Sequence, residues 1–124
     1  MKTNLYILLM GIVFAALLSS VSRATTWIVD DDYAPPWNSI QHAIVEAALS
    51  GDEIQVEPGI YEEAINFLGK AIWLYSSSGP EVTTIDAAGE NLPAVTCKTS
   101  EASDTILEGF TITGGTGRPR SGPG

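Results

Sequence analysis

The chain holds one cysteine and one histidine among its 124 residues. One cysteine closes no internal disulfide, so this is not a disulfide scaffold. One histidine, His42, makes no metal site by itself: ligands would be needed three or four residues away, and Ser39, Val45 and Glu46 form no such set. Basic residues are few, six Lys and Arg against fifteen Asp and Glu. Nucleic acid and anionic lipid are held by clustered Lys and Arg, which excludes both as partners. An acidic polysaccharide would be repelled unless a cation bridged it, and neutral glycans suit the chain better. Also missing is an apolar run of the ~20 residues that a bilayer span requires. The longest such run, Leu5 to Leu18, falls well short of that length.

That run follows Lys2 and precedes Ser22 and Ala24, small residues two apart. A positive start, a short apolar stretch and small residues at those two places mark a cleaved secretory signal over residues 1–24, leaving no membrane span. Its removal takes Lys2 and Arg23 and leaves four basic against fifteen acidic side chains, a net charge of −11. The expected location is secreted, extracellular or at the cell surface.

In the mature chain, Trp27-Ile28-Val29 reads as a strand leading to Asp30-Asp31-Asp32. Pro35 and Pro36 make the next stretch a connector. Asn38 or Ser39 then caps a helix whose apolar stripe is Ile40, Ala43, Ile44, Ala47 and Ala48, with Gly51 as its stop. Beyond Gly51 the period drops from 3.6 to 2. Short alternating runs at 53–56, 64–67, 71–75, 82–87, 94–97 and 105–113 are punctuated by Pro58-Gly59, Gly69, Gly79-Pro80 and Gly89. Ile65-x-Phe67-x-Gly69 recurs as Ile85-x-Ala87-x-Gly89, and Ile72-x-Leu74 as Val95-x-Cys97, offsets of 20 and 23. Self-similarity at so short a period predicts an all-β solenoid with one β-coil per repeat. A β-sandwich, the rival, wants longer strands and Asn-Gly hairpins. Residues 25–52 would form the strand, connector and capping helix, 53–115 the coils, and 116–124 a Gly/Pro-rich disordered tail.

Ile28-Val29-Asp30-Asp31-Asp32, Ser39-Ile40-Gln41-x-Ala43-Ile44 and Gly51-Asp52-Glu53-Ile54-x-Val56-x-Pro58-Gly59-x-Tyr61 together resemble the opening of pectin lyase-like right-handed parallel β-helix proteins. Gly69-Lys70-Ala71-Ile72, Gly79-Pro80-Glu81-Val82-Thr83, Ile85-Asp86 and Leu107-Glu108-Gly109-Phe110-Thr111-Ile112 extend the likeness over about residues 27–115. The resemblance implies a right-handed parallel β-helix with an N-terminal capping α-helix, Ile40, Ala43, Ile44 and Ala47 closing the core. It also implies truncation after about two coils, because relatives carry their catalytic or binding residues on further coils.

Each candidate site has a structural reading beside it. Asp30, Asp31 and Asp32 could hold Ca²⁺, which takes about six to eight oxygens. Consecutive residues of an extended chain point to alternating sides, so a solvated loop is expected and no cofactor is assigned. His42 lies off the apolar stripe and should face solvent, and Cys97 should be a small buried strand residue. Glu62 and Glu63 are adjacent on the chain, whereas a glycosidase sets its carboxylates across a cleft. A polysaccharide lyase would need clustered calcium-binding acids and a basic residue to take a proton; before Arg118 the mature chain offers only Lys70, in a turn motif, and Lys98, closing a short strand. Trp73 and Tyr75 are the sharper pair. With Ile72 and Leu74 inward, both rings point outward about 7 Å apart and suit stacking on sugar rings. The competing expectation packs them under the Trp27 strand or the Pro35-Pro36 connector.

The expected function is therefore a non-catalytic β-helix segment that is glycan-binding or structural and adhesive, with a polysaccharide or another β-helix segment as partner and self-association through an open C-terminal coil. The alternative is the N-terminal fragment of a carbohydrate-active enzyme, a polysaccharide lyase or glycoside hydrolase.

Overall fold

A computed structural model describes residues 23–47, 50–97 and 104–117. The expected signal segment up to residue 22, Ala48, Lys98 and the expected tail from 118 lie outside these residues. The described elements are β1 (Thr26–Val29), α1 (Ile40–Glu46), β2 (Ser50–Val56), β3 (Gly59–Tyr61), β4 (Ile65–Asn66), β5 (Ala71–Ser76), β6 (Thr83–Asp86), β7 (Val95–Thr96), β8 (Ile106–Glu108) and β9 (Thr111–Thr113). The fold is all-β, and every described strand pair is parallel.

The strands fall into three sheets, ordered β1-β2-β5-β8, β3-β6-β9 and β4-β7. From β2 onward the chain visits the first, second and third sheet, repeats that order through β5, β6 and β7, and begins again with β8 and β9. Alternation along each strand sends one set of side chains inward. Ile54 pairs with Leu74 and Leu74 with Leu107, so an apolar row crosses the first sheet on its inner face. Tyr61 pairs with Ile85, and Ile65 with Val95. Phe67, Ile54, Ile65, Ile72, Leu74 and Ile85 are among the largest side chains sealed from solvent.

The registers correct the repeat offsets. Ile85 pairs with Tyr61, not with Ile65, and Val95 pairs with Ile65, not with Ile72. Strand-then-glycine recurs at the corners of the chain, so matching motifs alone slides one sheet onto another. The true steps vary: the chain from Leu74 to Leu107 is much longer than that from Ile54 to Leu74. Pro58-Gly59 carries a turn signature, yet Gly59 is the first residue of β3. Gly59 is needed for space: a Cβ there would lie 2.5 Å from the Asp31 carboxyl group. At Gly109, where the 105–113 run divides into β8 and β9, φ is +82° and the Ser76 hydroxyl donates to the carbonyl, so the position demands glycine.

The helix starts at Ser39, whose hydroxyl accepts from the His42 N–H at 3.1 Å. It ends earlier than Gly51: Ala47 already has ψ of 148°, and Ser50 and Gly51 belong to β2. Ile40, Ala43 and Ile44 are fully buried and Ala47 nearly so, and α1 packs against β1, β2 and β4.

Two side chains from outside the helix hold its ends. Glu63 accepts from the Ile40 N–H at 2.7 Å, from the Gln41 N–H at 3.0 Å and from the Ser39 hydroxyl at 3.0 Å. Lys70 Nζ donates to the carbonyls of Ile44, Val45 and Ala47 at 2.8, 2.8 and 2.7 Å. An anion at the N-terminus and a cation at the C-terminus both complement the helix dipole. Gln41 seals the edge of the third sheet, its amide oxygen accepting from the Asn66 N–H at 2.7 Å and its amide nitrogen donating to the Asn66 carbonyl at 3.2 Å. The amide thus does for β4 what a further strand would do.

Candidate functional site: the outer face of the first sheet

The inner row of the first sheet fixes what faces outward. Pairing sets Thr26, Glu53, Trp73 and Ile106 in one outward row, and Ile28, Gln55, Tyr75 and Glu108 in the next. Trp73 is 37% exposed and Tyr75 is half-buried. Their ring centroids stand 4.7 Å apart, with 38° between the planes. The rings lean together from their ~7 Å strand spacing and make one bent apolar ledge. Ile28 and Ile106, 46% and 45% exposed, extend it at either edge.

Polar neighbours fix both rings. Trp73 Nε1 donates to Glu108 Oε1 at 3.0 Å, and the Tyr75 hydroxyl donates to Gln55 Oε1 at 3.2 Å. Gln55 is itself oriented by Glu57, whose Oε1 accepts from Gln55 Nε2 at 2.6 Å and whose Oε2 accepts from the Ser77 hydroxyl at 2.9 Å. Nothing in the sequence pattern singles out Gln55, Glu57 or Glu108. Alternation places Gln55 outward, but only the register places it beside Tyr75.

The described N-terminal residues, from Arg23 to the Pro35-Pro36 connector, do not cover this ledge. Trp27 belongs to the inner row with Ile54. Its ring stacks on Trp37 at 5.7 Å, and its Nε1 donates to buried Asp52 at 2.9 Å. The connector is drawn to the helix: Trp37 meets His42 edge-on at 5.3 Å. His42 is thus half-buried against Trp37, not turned to solvent as its place off the stripe predicted. A groove of about 360 Å³ runs beside the ledge, lined by Gly51, Asp52, Glu53, Ala71, Trp73 and Asp104. No protein-family model, curated protein or solved structure matches this chain.

The other candidates resolve into structural parts. Asp30, Asp31 and Asp32 do converge, with one oxygen of each within 4.8 Å of the others. Alternation fails there because the chain turns: the Asp32 N–H donates to Asp30 Oδ1 at 3.1 Å, and the Tyr33 N–H to the Asp30 carbonyl at 3.0 Å. These carboxylates, Asp30 half-buried and Asp31 and Asp32 exposed, are gathered by the turn, and exposed acidic groups commonly gather so without an ion. Glu63 is bound to the helix N-terminus, while Glu62 is exposed. Lys70 serves the helix C-terminus. Cys97 is exposed, not buried. Its lower neighbour in the stack is Phe67, whose N–H donates to the Thr96 carbonyl, and no described strand lies above β7 to cover it.

Proposed function

We propose that this chain is a secreted, right-handed parallel β-helix segment that binds a glycan without catalysis, through the ledge of Trp73 and Tyr75. The β-helix reading rests on all-parallel pairing and on the cyclic visiting of three sheets by short strands. Right-handedness follows from the strong bias of parallel crossover connections. The resemblance of residues 27–115 to pectin lyase-like proteins agrees with both, and the apolar run before Ala24 supports export.

One observation carries the binding reading: two aromatic rings, fixed by hydrogen bonds from the rims, lie side by side on an outward sheet face that the described N-terminal residues leave open. Sugars offer C–H faces to aromatic rings and hydroxyls to surrounding carboxylates and amides, and this surface supplies both. The test is co-sedimentation of the mature protein with chitin, chitosan and cellulose. The wild type should bind at least one of them, and Trp73→Ala/Tyr75→Ala should lose that binding with an unchanged melting midpoint. Retained binding in the double variant, or no binding by the wild type, overturns the proposal.

A further inference from the structure

We infer that the ligand of this ledge is a cationic amino-sugar polymer, one built of glucosamine units, and not a neutral or acidic glycan. The inference rests on the glycan-binding reading and adds the charge of the ligand.

Three observations carry it. First, carboxylates flank the rings from both neighbouring strands. Glu53 of β2 pairs with Trp73, and Glu108 of β8 pairs with Tyr75, each about 4.8 Å away along the hydrogen-bonding direction. Glu57 closes the end of the Tyr75 row through Gln55, and Asp104 shares the adjoining groove with Trp73. Secondly, none of the four strands of this sheet contains a Lys or Arg. Lys70, which directly precedes β5, has its ammonium spent on three helix carbonyls. Thirdly, the apolar centre is aromatic. A protonated amine held against an aromatic face gains a cation–π contact that a hydroxyl does not, and carboxylates at the rim add ion pairing.

The parts fit one glucosamine residue. Its C–H face covers the ledge, and its ammonium, projecting from the ring edge, reaches Glu53 on one side or Glu108 on the other. An N-acetylated unit keeps the stacking face and loses the charge, and a uronate brings a carboxylate to a rim of carboxylates.

Calorimetric titration in mildly acidic buffer, with the sugar amine protonated, separates the cases. The probes are a glucosamine pentamer, the N-acetylated pentamer, a galacturonate pentamer and an oligolysine. The glucosamine pentamer should bind about tenfold more tightly than its N-acetylated counterpart, the sum of one exposed cation–π contact and one surface ion pair. The galacturonate pentamer should not bind, and added salt should shrink the preference. Glu53→Gln/Glu108→Gln keeps an acceptor for Trp73 Nε1 and should cut the preference at least threefold while its melting midpoint stays put. Equal binding of the two pentamers overturns the inference and leaves the glycan reading standing. Binding of neither also overturns the inference, and the glycan reading then stands or falls with cellulose. Oligolysine binding as tightly as the glucosamine pentamer shows a surface that reads charge alone, and also overturns the inference.

Discussion

Tyr61 occupies the least water-like environment of any tyrosine described. Only 2% of it is exposed, and its hydroxyl donates to the Glu57 carbonyl at 2.9 Å, with the Val29 carbonyl at 3.4 Å. Burial pushes its ionisation well above the usual tyrosine range, and the charges of Asp31, Asp30 and Glu57 push the same way. A backbone hydrogen bond from Asp31 opposes them. The folded phenol therefore keeps its proton after the unfolded chain has lost it. The contribution is intact below the ordinary tyrosine value of 10.0 and is lost as pH rises above it. Urea midpoints taken from pH 8 to pH 11 should fall at the alkaline end, and Tyr61→Phe should flatten that fall. A second residue acts in the opposite sense. Thr83 is fully buried, and its hydroxyl has no hydrogen-bond partner among the described residues. Thr83→Val should raise stability by about 1 kcal/mol in urea unfolding, the cost of an unpaired buried hydroxyl. At this scale the sequence is legible where alternation decides, as for Trp73 and Tyr75 outward and Ile72 and Leu74 inward. It is not legible where a turn or the last described strand of a sheet decides, as for Asp30 to Asp32 and Cys97.

The helix shows how one element depends on others. Its seven residues are too few to be stable alone in water. Stability comes from the buried stripe and from the clamp of Glu63 and Lys70 at its two ends. Lys70→Met keeps the apolar stem and removes the charged donor. It should cost about 2–3 kcal/mol in thermal or urea unfolding, the range for hydrogen bonds to charged groups. Glu63→Ala should cost about 1–2 kcal/mol, as loss of a helix N-terminal cap does. The buried stripe is readable from its 3.6 period, and the Ser39 cap from its residue type. Both ends of the clamp are invisible in the sequence, since Glu63 and Lys70 lie far along the chain from the backbone groups they hold. The strand β3 is hidden for a local reason: the glycine that admits Asp31 also looks like a turn.

Over the whole molecule the two ends of the strand stack differ. At the N-terminal end, β1 covers the first sheet and Gln41 occupies the edge of the third, with α1 packed across the core. At the other end, β7, β8 and β9 are the last described strands of their sheets, and Ile106 and Ile112 are about half exposed. The composition of the tail predicts that it leaves the fold at residue 116, yet the Thr116 N–H still donates to the Leu92 carbonyl at 2.9 Å. The all-β class and most strands are readable from period-2 runs. The pairing is not, because the chain between paired strands varies in length with loops that carry no periodic signal.

The measurement closest to the central claim is the indole N–H spectrum of the mature protein during titration with the glucosamine pentamer. The chain has three tryptophans, Trp27, Trp37 and Trp73, which Trp73→Phe would assign. Trp27 and Trp37 stack on each other beside the helix, while Trp73 lies on the open ledge. The Trp73 signal alone should shift and saturate. A stationary Trp73 signal, or shifts confined to Trp27 and Trp37, would contradict that claim.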